Sequence, residues 1–427
     1  MEAIILFFAI FLLLLFFGVP VAISLGFTSI LLIWKYSLGI QVVAPNFYAN
    51  LAKFQLLALP FFILAGLILD RCGISKRLIR FVSLIVGPIP GGLAIVAIVV
   101  GIIFAGISGS GPADTAALGV ILFPAMVAMG YHEGFTAGLI AATGSLAIVI
   151  PPSIALILYG VISATSVPAL FAAGVIPGII AALFLIVPSF LMARKYGWKG
   201  EEWGSLKEIW EAVKDALWGL IAPIIILSGM YGGIFTATEA AIVAVFYGLF
   251  VGLVIYKSLT LKMLYEIFRD AFLSSAVVMF IVAFAGLFSW TGSTLGVMDK
   301  TSAYLLSLSS NPFVILILIN LMILIAGMLM DAISIYYVFL PILIPIIKHF
   351  HWDPVWFGIV MTLNLAIGQI TPPVAVNLYV IANIANMSLQ TLSKSVIPFI
   401  LFMLCALAIV MFFPYLSLYL PTVFGLR

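Results

Sequence analysis

Two short stretches inside apolar segments bring together small and polar residues of the kind that bind ions. The first runs from Gly106 to Asp114 and reads GISGSGPAD, and the second runs from Gly327 to Asp331 and reads GMLMD. Each separates two apolar stretches of roughly 17 residues, which are short for full membrane spans. Non-helical backbone at membrane depth must be buried in protein or hydrated by a cavity. We therefore predict that each stretch is the tip of a helical hairpin that enters the membrane and turns back.

A pair of consecutive prolines follows each tip, Pro151-Pro152 in one half of the chain and Pro372-Pro373 in the other. Proline lacks an N–H group and its ring displaces a carbonyl one turn earlier, so carbonyl oxygens near 147–150 and 368–371 should lack helical partners. Such oxygens, together with helix ends, are suitable ligands for a hard monovalent cation. The alternative is that these glycines and prolines only pack and kink helices, as is common in membranes.

A hairpin tip and a broken helix in each half are thus expected to form two related cation sites. Most ligands would be backbone oxygens, to which the hydroxyl groups of Ser153 and Thr371 could be added. The predicted ligands are Gly106, Ser108, Ala147, Ile150 and Ser153 in the first half, and Gly327, Gly368, Thr371 and Val374 in the second.

Acidic and amide side chains near these breaks are candidates for contact with a solute. A charge at mid-membrane costs about 3 kcal/mol on insertion scales, so an acid there needs a partner or water. The two acids at the tips could cap the helix that follows or tune the cation and substrate sites, and the amides could bond between helices or face solute. By contrast, Thr236 and Glu239 match a capping box. The substrate-binding candidates are Ser110, Asp114, Asp331, Asn364, Gln369 and Asn377.

The elements that position these residues must be membrane helices. Of the 427 residues, 65% are hydrophobic and 8% are charged, whereas soluble domains carry roughly 25% charged residues. Apolar runs of about 20 residues, enough for a helical span, recur along the chain, and the alternating segments of a membrane barrel do not. The sequence predicts an all-α polytopic membrane protein. The net charge of +3 gives no case for nucleic acid, and two distant cysteines indicate neither a disulfide framework nor a metal site.

The second half of the chain repeats the first. A shift of 221 residues superposes Gly106 on Gly327, Pro177 on Pro398 and one proline pair on the other. Glycine and proline fix backbone shape, so their coincidence is more informative than matching leucines. Internal duplication with broken helices at matching positions is typical of secondary transporters built from two inverted structural repeats.

The repeat divides the chain into two halves joined by a charged segment. The apolar run after Met1 lacks a basic leader region and is expected to be the first membrane segment, broken at Gly18-Val19-Pro20 into two helices or one kinked helix. A polar linker with an amphipathic helix from Leu206 separates the halves. The predicted units are a first half at 1–193, with a hairpin at about 91–129 and a broken helix at about 134–164, a linker at 194–215, and a second half at 216–427, with a hairpin at about 312–348 and a broken helix at about 353–387.

Three motifs together resemble a known family. The run from Gly106 to Asp114 resembles the first-hairpin motif of the large membrane subunit of tripartite ATP-independent periplasmic (TRAP) transporters. The runs GGIFTATEAA from Gly232 and GQITPP from Gly368 resemble two further family motifs, and the GVPVA run near the start also fits. The resemblance spans essentially the whole chain. Ala237 departs from it, because the family more often has proline there.

The resemblance implies a sodium-driven elevator, in which a transport domain carrying both hairpins moves against a scaffold and sodium ions occupy the hairpin tips and broken helices. It implies an organic acid substrate, such as a C4-dicarboxylate, a sialic acid or a keto acid, delivered by a periplasmic binding protein. A separate small four-helix membrane subunit would complete the scaffold. The expected location is the inner (cytoplasmic) membrane of a bacterium or archaeon, crossed several times and in contact with lipid, with sodium as coupling ion and no other cofactor.

Two other classes of protein compete with this interpretation. A stand-alone carboxylate or anion transporter would need no binding protein, so dependence on that protein separates the two. A membrane enzyme or assembly scaffold would show clustered His, Asp or Glu at membrane depth, whereas the acids here are isolated, and no Walker-type sequence for ATP hydrolysis is present. No arginine lies well inside the membrane to clamp a carboxylate, so half-helix N-termini with Ser or Asn donors are expected to hold an anion.

Overall fold

The computed structural model describes residues 2–198, 200 and 203–427, and the regular secondary structure of this part of the chain is helical throughout. The predicted all-α polytopic fold class is therefore confirmed. Lys199, Glu201 and Glu202, which belong to the predicted polar linker, lie outside the described residues.

The described residues of the first half form ten α-helices. The predicted break near residue 18 separates the first two, where Gly18 adopts φ +76°, a left-handed conformation that glycine tolerates. Short 3₁₀ turns occupy Ile40–Val42, Phe54–Leu57 and Leu146–Ile148. The helices are α1 (Glu2–Phe16), α2 (Val21–Lys35), α3 (Val43–Leu51), α4 (Ala58–Arg71), α5 (Ile74–Val86), α6 (Gly92–Ser108), α7 (Gly111–Ala128), α8 (Glu133–Ser145), α9 (Ile154–Ser163) and α10 (Val167–Tyr196).

The amphipathic helix that was predicted from Leu206, within the linker, begins at that residue and continues into the second half as far as Tyr231. Ser205 caps this helix in a capping box with Glu208. The predicted capping box of Thr236 and Glu239 is also confirmed, since the Thr236 N–H donates to Glu239 Oε2 at 2.8 Å. The helices are α11 (Leu206–Tyr231), α12 (Ala237–Phe250, continued by a π turn at Val251–Ile255), α13 (Leu261–Thr294), α14 (Val297–Leu308), α15 (Pro312–Gly327), α16 (Ala332–His349), α17 (Pro354–Gly368), α18 (Val376–Ala385), α19 (Leu389–Ser395), α20 (Ile397–Phe412) and α21 (Tyr415–Val423).

The shift that aligns the two halves in sequence also aligns their helices. Moved by 221 residues, α7 coincides with α16, and α9 falls one residue from α18. The bent pair α19 and α20, whose axes differ by 49°, occupies the position that α10 holds in the first half. Chain duplication is thus visible in the secondary structure as well as in the spacing of glycine and proline.

Seven helices among the described residues are long and apolar enough to cross a membrane, and the bent pair α19–α20 provides up to one more. Both α7 and α16 are among the seven by length and composition, at 18 residues each. The other helices of the two hairpins and of the two broken segments are shorter, at 10 to 17 residues. Each hairpin therefore combines a shorter helix, α6 or α15, with one of 18 residues, α7 or α16.

The two halves interlock around the broken helices. Helix α18 of the second half packs on α7 and α8 of the first, while α9 of the first half packs on α16 and α17 of the second. The Tyr159 hydroxyl donates to the carbonyl of Pro354 at 2.7 Å, and Tyr159 and Tyr336 are buried as an edge-to-face pair. Helix α4 packs on α12, α13 and α6. This arrangement brings both hairpins and α4 to a common centre.

Candidate functional site

The tip of the first hairpin lies directly on the first proline pair. Gly109, which follows α6, has φ +64°, and a Cβ built on it would lie 2.5 Å from the carbonyl oxygen of Pro152. The carbonyl of Gly109 accepts a hydrogen bond from the N–H of Ile154 at 3.3 Å. Only glycine fits here, both for its positive φ and for the close approach of backbone to backbone.

The tip of the second hairpin is joined to the second proline pair in a similar way. The carbonyl of Met328 accepts a hydrogen bond from the N–H of Val374 at 3.0 Å. Gly327 and Gly368 face each other so closely that a Cβ on Gly368 would lie 2.8 Å from the Cα of Gly327. Each half therefore joins its hairpin tip to its broken helix through main-chain contacts, and both proline pairs contain a cis peptide bond.

The carbonyl oxygens near the proline pairs bond outside the regular helical ladder, as expected. The carbonyl of Ile148 accepts from the Ser153 hydroxyl at 2.5 Å, and that of Ile367 accepts from the Thr371 hydroxyl at 2.6 Å. The carbonyl of Gly368 accepts from the Thr371 N–H at 3.1 Å in a tighter turn. Because a carbonyl oxygen has two lone pairs and each of these hydroxyl oxygens has its own, the oxygens can also serve a cation.

The first predicted cation group includes a buried hydroxyl–carboxylate pair. The Ser108 hydroxyl donates to Oδ1 of Asp114 in the next helix, and the N–H of Ser110 donates to the Ser108 hydroxyl oxygen at 3.2 Å. Asp114 is fully buried, and its Oδ2 has no hydrogen-bond partner within the described chain. Ser153, also fully buried, caps α9 by accepting from the N–H of Leu156. Asp114 therefore does not cap its helix, and its carboxyl group faces the hairpin tip.

The second predicted cation group is brought together by the main-chain contacts already described. Gly327, Gly368 and Thr371 are buried, and Val374 is 36% exposed. The carbonyl oxygen of Gly327 lies 3.1 Å from the position of a Cβ on Gly368. Main-chain atoms rather than side chains thus dominate this contact. The ligand sets of both groups stay predictions, since no ion is part of the structure.

A cavity of about 280 Å³ lies between the two hairpin tips. Four of the predicted site residues line it, namely Ser108 and Ser110 of the first tip, Asp331 of the second tip and Gln369 beside the second proline pair. The remaining walls come from α4, α6, α7, α9, α13 and α16. The hairpins and α4 therefore enclose a shared space large enough for a small organic molecule.

Three helices start at the wall of this cavity. Helix α7 begins at Gly111 after its N-cap Ser110, α9 begins at Ile154, and α16 begins at Ala332, and each of these residues lines the cavity. The first turn of a helix carries unsatisfied N–H groups and a partial positive charge. The start of α16 is already capped by the Asp331 carboxylate, so the starts of α7 and α9 are the ones suited to an anion without a basic side chain.

The carboxylate of Asp331 caps α16. Its Oδ2 accepts from the N–H groups of Ile333 at 3.0 Å and Ser334 at 3.2 Å, and its Oδ1 accepts from the Ser334 hydroxyl. The two acids at the hairpin tips thus differ in role, although they occupy related places in the sequence. Of the two interpretations kept open for them, capping holds for Asp331.

Two amides from the second broken segment meet the first turn of α7. A Cβ on Gly111 would lie 2.3 Å from Oε1 of Gln369 and 3.2 Å from Nδ2 of Asn377. Asn377 is fully buried and donates to the carbonyl of Ala141 at 3.2 Å. The side-chain oxygens of Gln369 and Asn377 have no hydrogen-bond partner among residues 2–198, 200 and 203–427. These amides therefore link the second half to the first hairpin at the edge of the cavity.

Asn364 lies apart from the cavity. Its amide donates to the carbonyl of Asn320 at 2.8 Å and to Oδ1 of Asn320 at 2.9 Å, so it joins α17 to α15. For this residue the contact between helices, one of the two interpretations of the amides, is the one observed.

The sequence did not single out the face that α4 turns to the cavity. Ile63, Gly66, Leu67 and Asp70 line it at helical spacing i, i+3, i+4 and i+7. A Cβ on Gly66 would lie 3.2 Å from the Cα of Ser108, so α4 touches the first hairpin tip there. This helical spacing could have been read from the sequence. Because the spacing lies within an apolar run, however, it does not show which neighbouring helix this face of α4 contacts.

Comparison with known proteins gives a family match over most of the chain. The family model described as "Tripartite ATP-independent periplasmic transporter, DctM component" matches residues 8–416.

Several named relatives align over nearly the whole chain. The isethionate TRAP transporter permease protein DctMQ of Oleidesulfovibrio alaskensis is 39% identical over 96% of this chain, which spans only 65% of that protein. The C4-dicarboxylate TRAP transporter large permease protein DctM of Rhodobacter capsulatus is 36% identical, with all of both chains covered. The sialic acid TRAP transporter large permease protein SiaM of Vibrio cholerae is 37% identical over 96% of each.

A solved structure shares the fold at low sequence identity. The YdaH transporter of Alcanivorax borkumensis, whose crystal structure was described as revealing an unusual topology, superposes with a TM-score of 0.64 at 14% identity and covers 88% of this chain and 89% of its own. At this identity the likeness concerns the fold alone.

Proposed function

The chain belongs to the DctM component family of tripartite ATP-independent periplasmic transporters, and we propose that it imports an organic acid, with an inward sodium gradient driving the uptake. It is a multi-pass transport permease rather than an enzyme. The observation that carries the proposal is the cavity between the two hairpin tips, where the first turns of α7, α9 and α16 meet. Fixed N–H dipoles in such a place favour an anion.

The proposed coupling ions are two sodium ions, one at each junction of hairpin tip and proline pair. The first site would draw on Ser108, Ser153 and nearby carbonyls, with the buried carboxyl group of Asp114 beside it. The second would draw on Thr371 and on carbonyls of Gly327 and Gly368. Both junctions border the cavity, since Ser108 and Ile148 line it on one side and Gln369 on the other. Sodium bound there would order the tips and so favour binding of the acid.

The proposed mechanism is an elevator. The two hairpins and two broken helices interlock through α18 on α7 and α9 on α16, which supports their moving as one transport domain. Helix α4 packs on α12 and α13 and meets the hairpin tip at Gly66, so it would be the scaffold wall past which the tips move.

The proposed partners are a small four-helix membrane subunit and a periplasmic binding protein that delivers the acid. The location would be the inner membrane of a bacterium or archaeon. Support for these comes from the family, whose relatives are named as TRAP large permeases or as the larger DctMQ permease. The relatives' names also suggest first solutes for testing, namely a C4-dicarboxylate, a sialic acid and isethionate, to which a 2-oxo acid is added.

The test is solute uptake into liposomes that contain this chain and its small partner. Radiolabelled succinate, N-acetylneuraminate, isethionate and 4-methyl-2-oxopentanoate would be offered with and without an inward sodium gradient, and with and without the binding protein encoded nearby. Uptake of one acid that needs both sodium and the binding protein supports the proposal. Uptake that does not depend on the binding protein would instead indicate a stand-alone carboxylate transporter. Uptake that does not depend on sodium would contradict the proposed sodium coupling.

A further inference from the structure

The walls of the cavity differ in character. On the hairpin side, the first turns of α7 and α9 present N–H groups, and Ser108 and Ser110 add hydroxyls, whereas the Asp331 carboxylate already caps the start of α16. The facing walls are mostly apolar, with Ile63 and Leu67 on α4 and Val278 on α13. A molecule in this space would therefore place an acidic group at the helix starts and pack the rest of its body against apolar side chains.

The ionisable side chains on the cavity wall carry negative charge. They are Asp70 on α4 and Asp331 at the second tip, and none of the lining residues, all of which lie in the described part of the chain, is Lys, Arg or His. Asp331 is engaged by the N–H groups and the hydroxyl of its own helix. Asp70 accepts one hydrogen bond, from the hydroxyl of Ser75 at 2.6 Å. A second negative group on a solute would find no positive partner here.

These walls discriminate between classes of organic acid. A dicarboxylate that placed one end at the helix starts would put the other against Asp70 or against apolar side chains. Repulsion between like charges, together with the loss of water around a carboxylate, opposes both placements. A hydroxyl-rich sugar acid would need many polar partners, whereas the side-chain donors and acceptors on the wall, besides the two acids, are Ser108, Ser110, Ser274 and Gln369.

Resting on the proposed transport function, we propose that the cavity selects an organic acid with a single negative charge and a mainly apolar body. The acidic group lies at the first turns of α7 and α9, and the body packs on Ile63, Leu67 and Val278. Asp70 acts as a specificity determinant that excludes a second acidic group. This distinguishes the chain from relatives that are named for a C4-dicarboxylate or a sialic acid.

The test compares two acids that share a 2-oxo acid head and differ in the tail. 4-Methyl-2-oxopentanoate ends in an apolar branch, and 2-oxoglutarate ends in a second carboxylate. Binding to the purified permease with its small partner, in lipid nanodiscs with sodium and without the binding protein, is measured from ligand-induced thermal stabilisation. We expect an apparent Kd at least about tenfold lower for 4-methyl-2-oxopentanoate.

Asp70→Asn tests the origin of the difference. Asparagine can still accept from the Ser75 hydroxyl, so the local hydrogen bond survives while the charge is lost. The variant should reduce the difference between the two acids to about threefold or less, whereas Asp299→Asn, which removes an exposed acid on α14, should leave it unchanged. Three results would overturn the inference: equal or tighter binding of 2-oxoglutarate by the wild type, binding of neither acid, or a difference that Asp70→Asn changes no more than Asp299→Asn does.

Failure of this inference is separable from failure of the proposed function. Uptake of a dicarboxylate that needs sodium and the binding protein would overturn the selectivity and leave the transporter assignment standing. Binding of 4-methyl-2-oxopentanoate with no sodium-dependent uptake of any acid would support the selectivity and overturn the proposed coupling.

Discussion

Gly327 and Gly368 form a contact between two main chains, with a Cβ on Gly368 placed only 2.8 Å from the Cα of Gly327. One residue ends α15 at the second hairpin tip, and the other ends α17 before the second proline pair. Because no side chain separates them, the carbonyl oxygen of Gly327 lies only 3.1 Å from the position of a Cβ on Gly368. This geometry supports the placement of a cation there, since backbone oxygens and helix C-terminal ends are suitable ligands.

A methyl group at Gly368 should disturb this contact. Gly368→Ala forces the two backbones apart, and overpacking of this kind typically costs about 1–3 kcal/mol. We expect a lower unfolding temperature and a higher sodium concentration for half-maximal uptake. Gly106→Ala is the control, and Gly106 is the residue of the first half that matches Gly327. A Cβ on Gly106 would lie nearest to a side-chain atom, the Cβ of Pro223 at 3.2 Å, rather than to main chain. Equal effects of the two variants would contradict the special role of the contact.

Loss of the Thr371 hydroxyl should weaken sodium binding more than it lowers the stability of the fold. Thr371→Val keeps the shape of the side chain and removes one oxygen from the second cation group. We expect the sodium concentration for half-maximal uptake to rise about tenfold. Thr291→Val is a matched control, since Thr291 is also buried and its hydroxyl donates to the carbonyl four residues earlier, but it lies on α13. If both variants change the sodium dependence alike, Thr371 is not a sodium ligand.

Asp331 should act mainly as a helix cap. Asp331→Ala removes the acceptor of two N–H groups at the start of α16, which typically costs about 1 kcal/mol. Asparagine is an equally good N-cap, so Asp331→Asn should restore most of the unfolding temperature. Thermal unfolding of the two variants in detergent measures both effects. A loss of stability in Asp331→Asn as large as in Asp331→Ala would show that the charge, rather than the cap, stabilises the tip.

Features that depend on local backbone chemistry were predictable from the sequence. The hairpin tips, the proline breaks, the repeat and the capping box at Thr236 follow from glycine, proline and hydroxyl residues acting within a few positions of themselves. The helix starts at Leu206 and Ala332 fall where the composition changes. Such signals act over short distances in the chain and so do not require knowledge of the tertiary packing.

Features that depend on packing between distant helices were not predictable in the same way. Asp114 and Asp331 occupy similar places beside the tips, yet one bonds to Ser108 and the other caps its own helix. Asn364 is paired with Asn320 instead of facing the cavity. Asp70 lines the cavity only because α4 packs against the first hairpin. Each outcome depends on which neighbours the fold provides.

The proposed elevator requires the first hairpin tip to move past α4. A Cβ on Gly66 would lie 3.7 Å from the Cβ of Ser108, a separation within the roughly 3.5–4.5 Å that a disulfide needs. A Gly66→Cys/Ser108→Cys pair can therefore fasten the scaffold to the hairpin. Gly101→Cys/Thr143→Cys is the control pair, with a corresponding distance of 3.5 Å, and it joins α6 to α8 inside the proposed transport domain. Both pairs are made in a variant in which the native cysteines are replaced by serine.

The most direct measurement is the initial rate of sodium-driven uptake by each pair, oxidised and then reduced in the same liposomes. We expect oxidation to stop uptake through the Gly66–Ser108 pair and reduction to restore it to the rate of the Ser108→Cys single variant, while the Gly101–Thr143 pair transports equally in both states. Undiminished uptake by the oxidised Gly66–Ser108 pair, with the disulfide verified by mass spectrometry, would show that the hairpin tip does not leave α4 during transport and would contradict the proposed elevator.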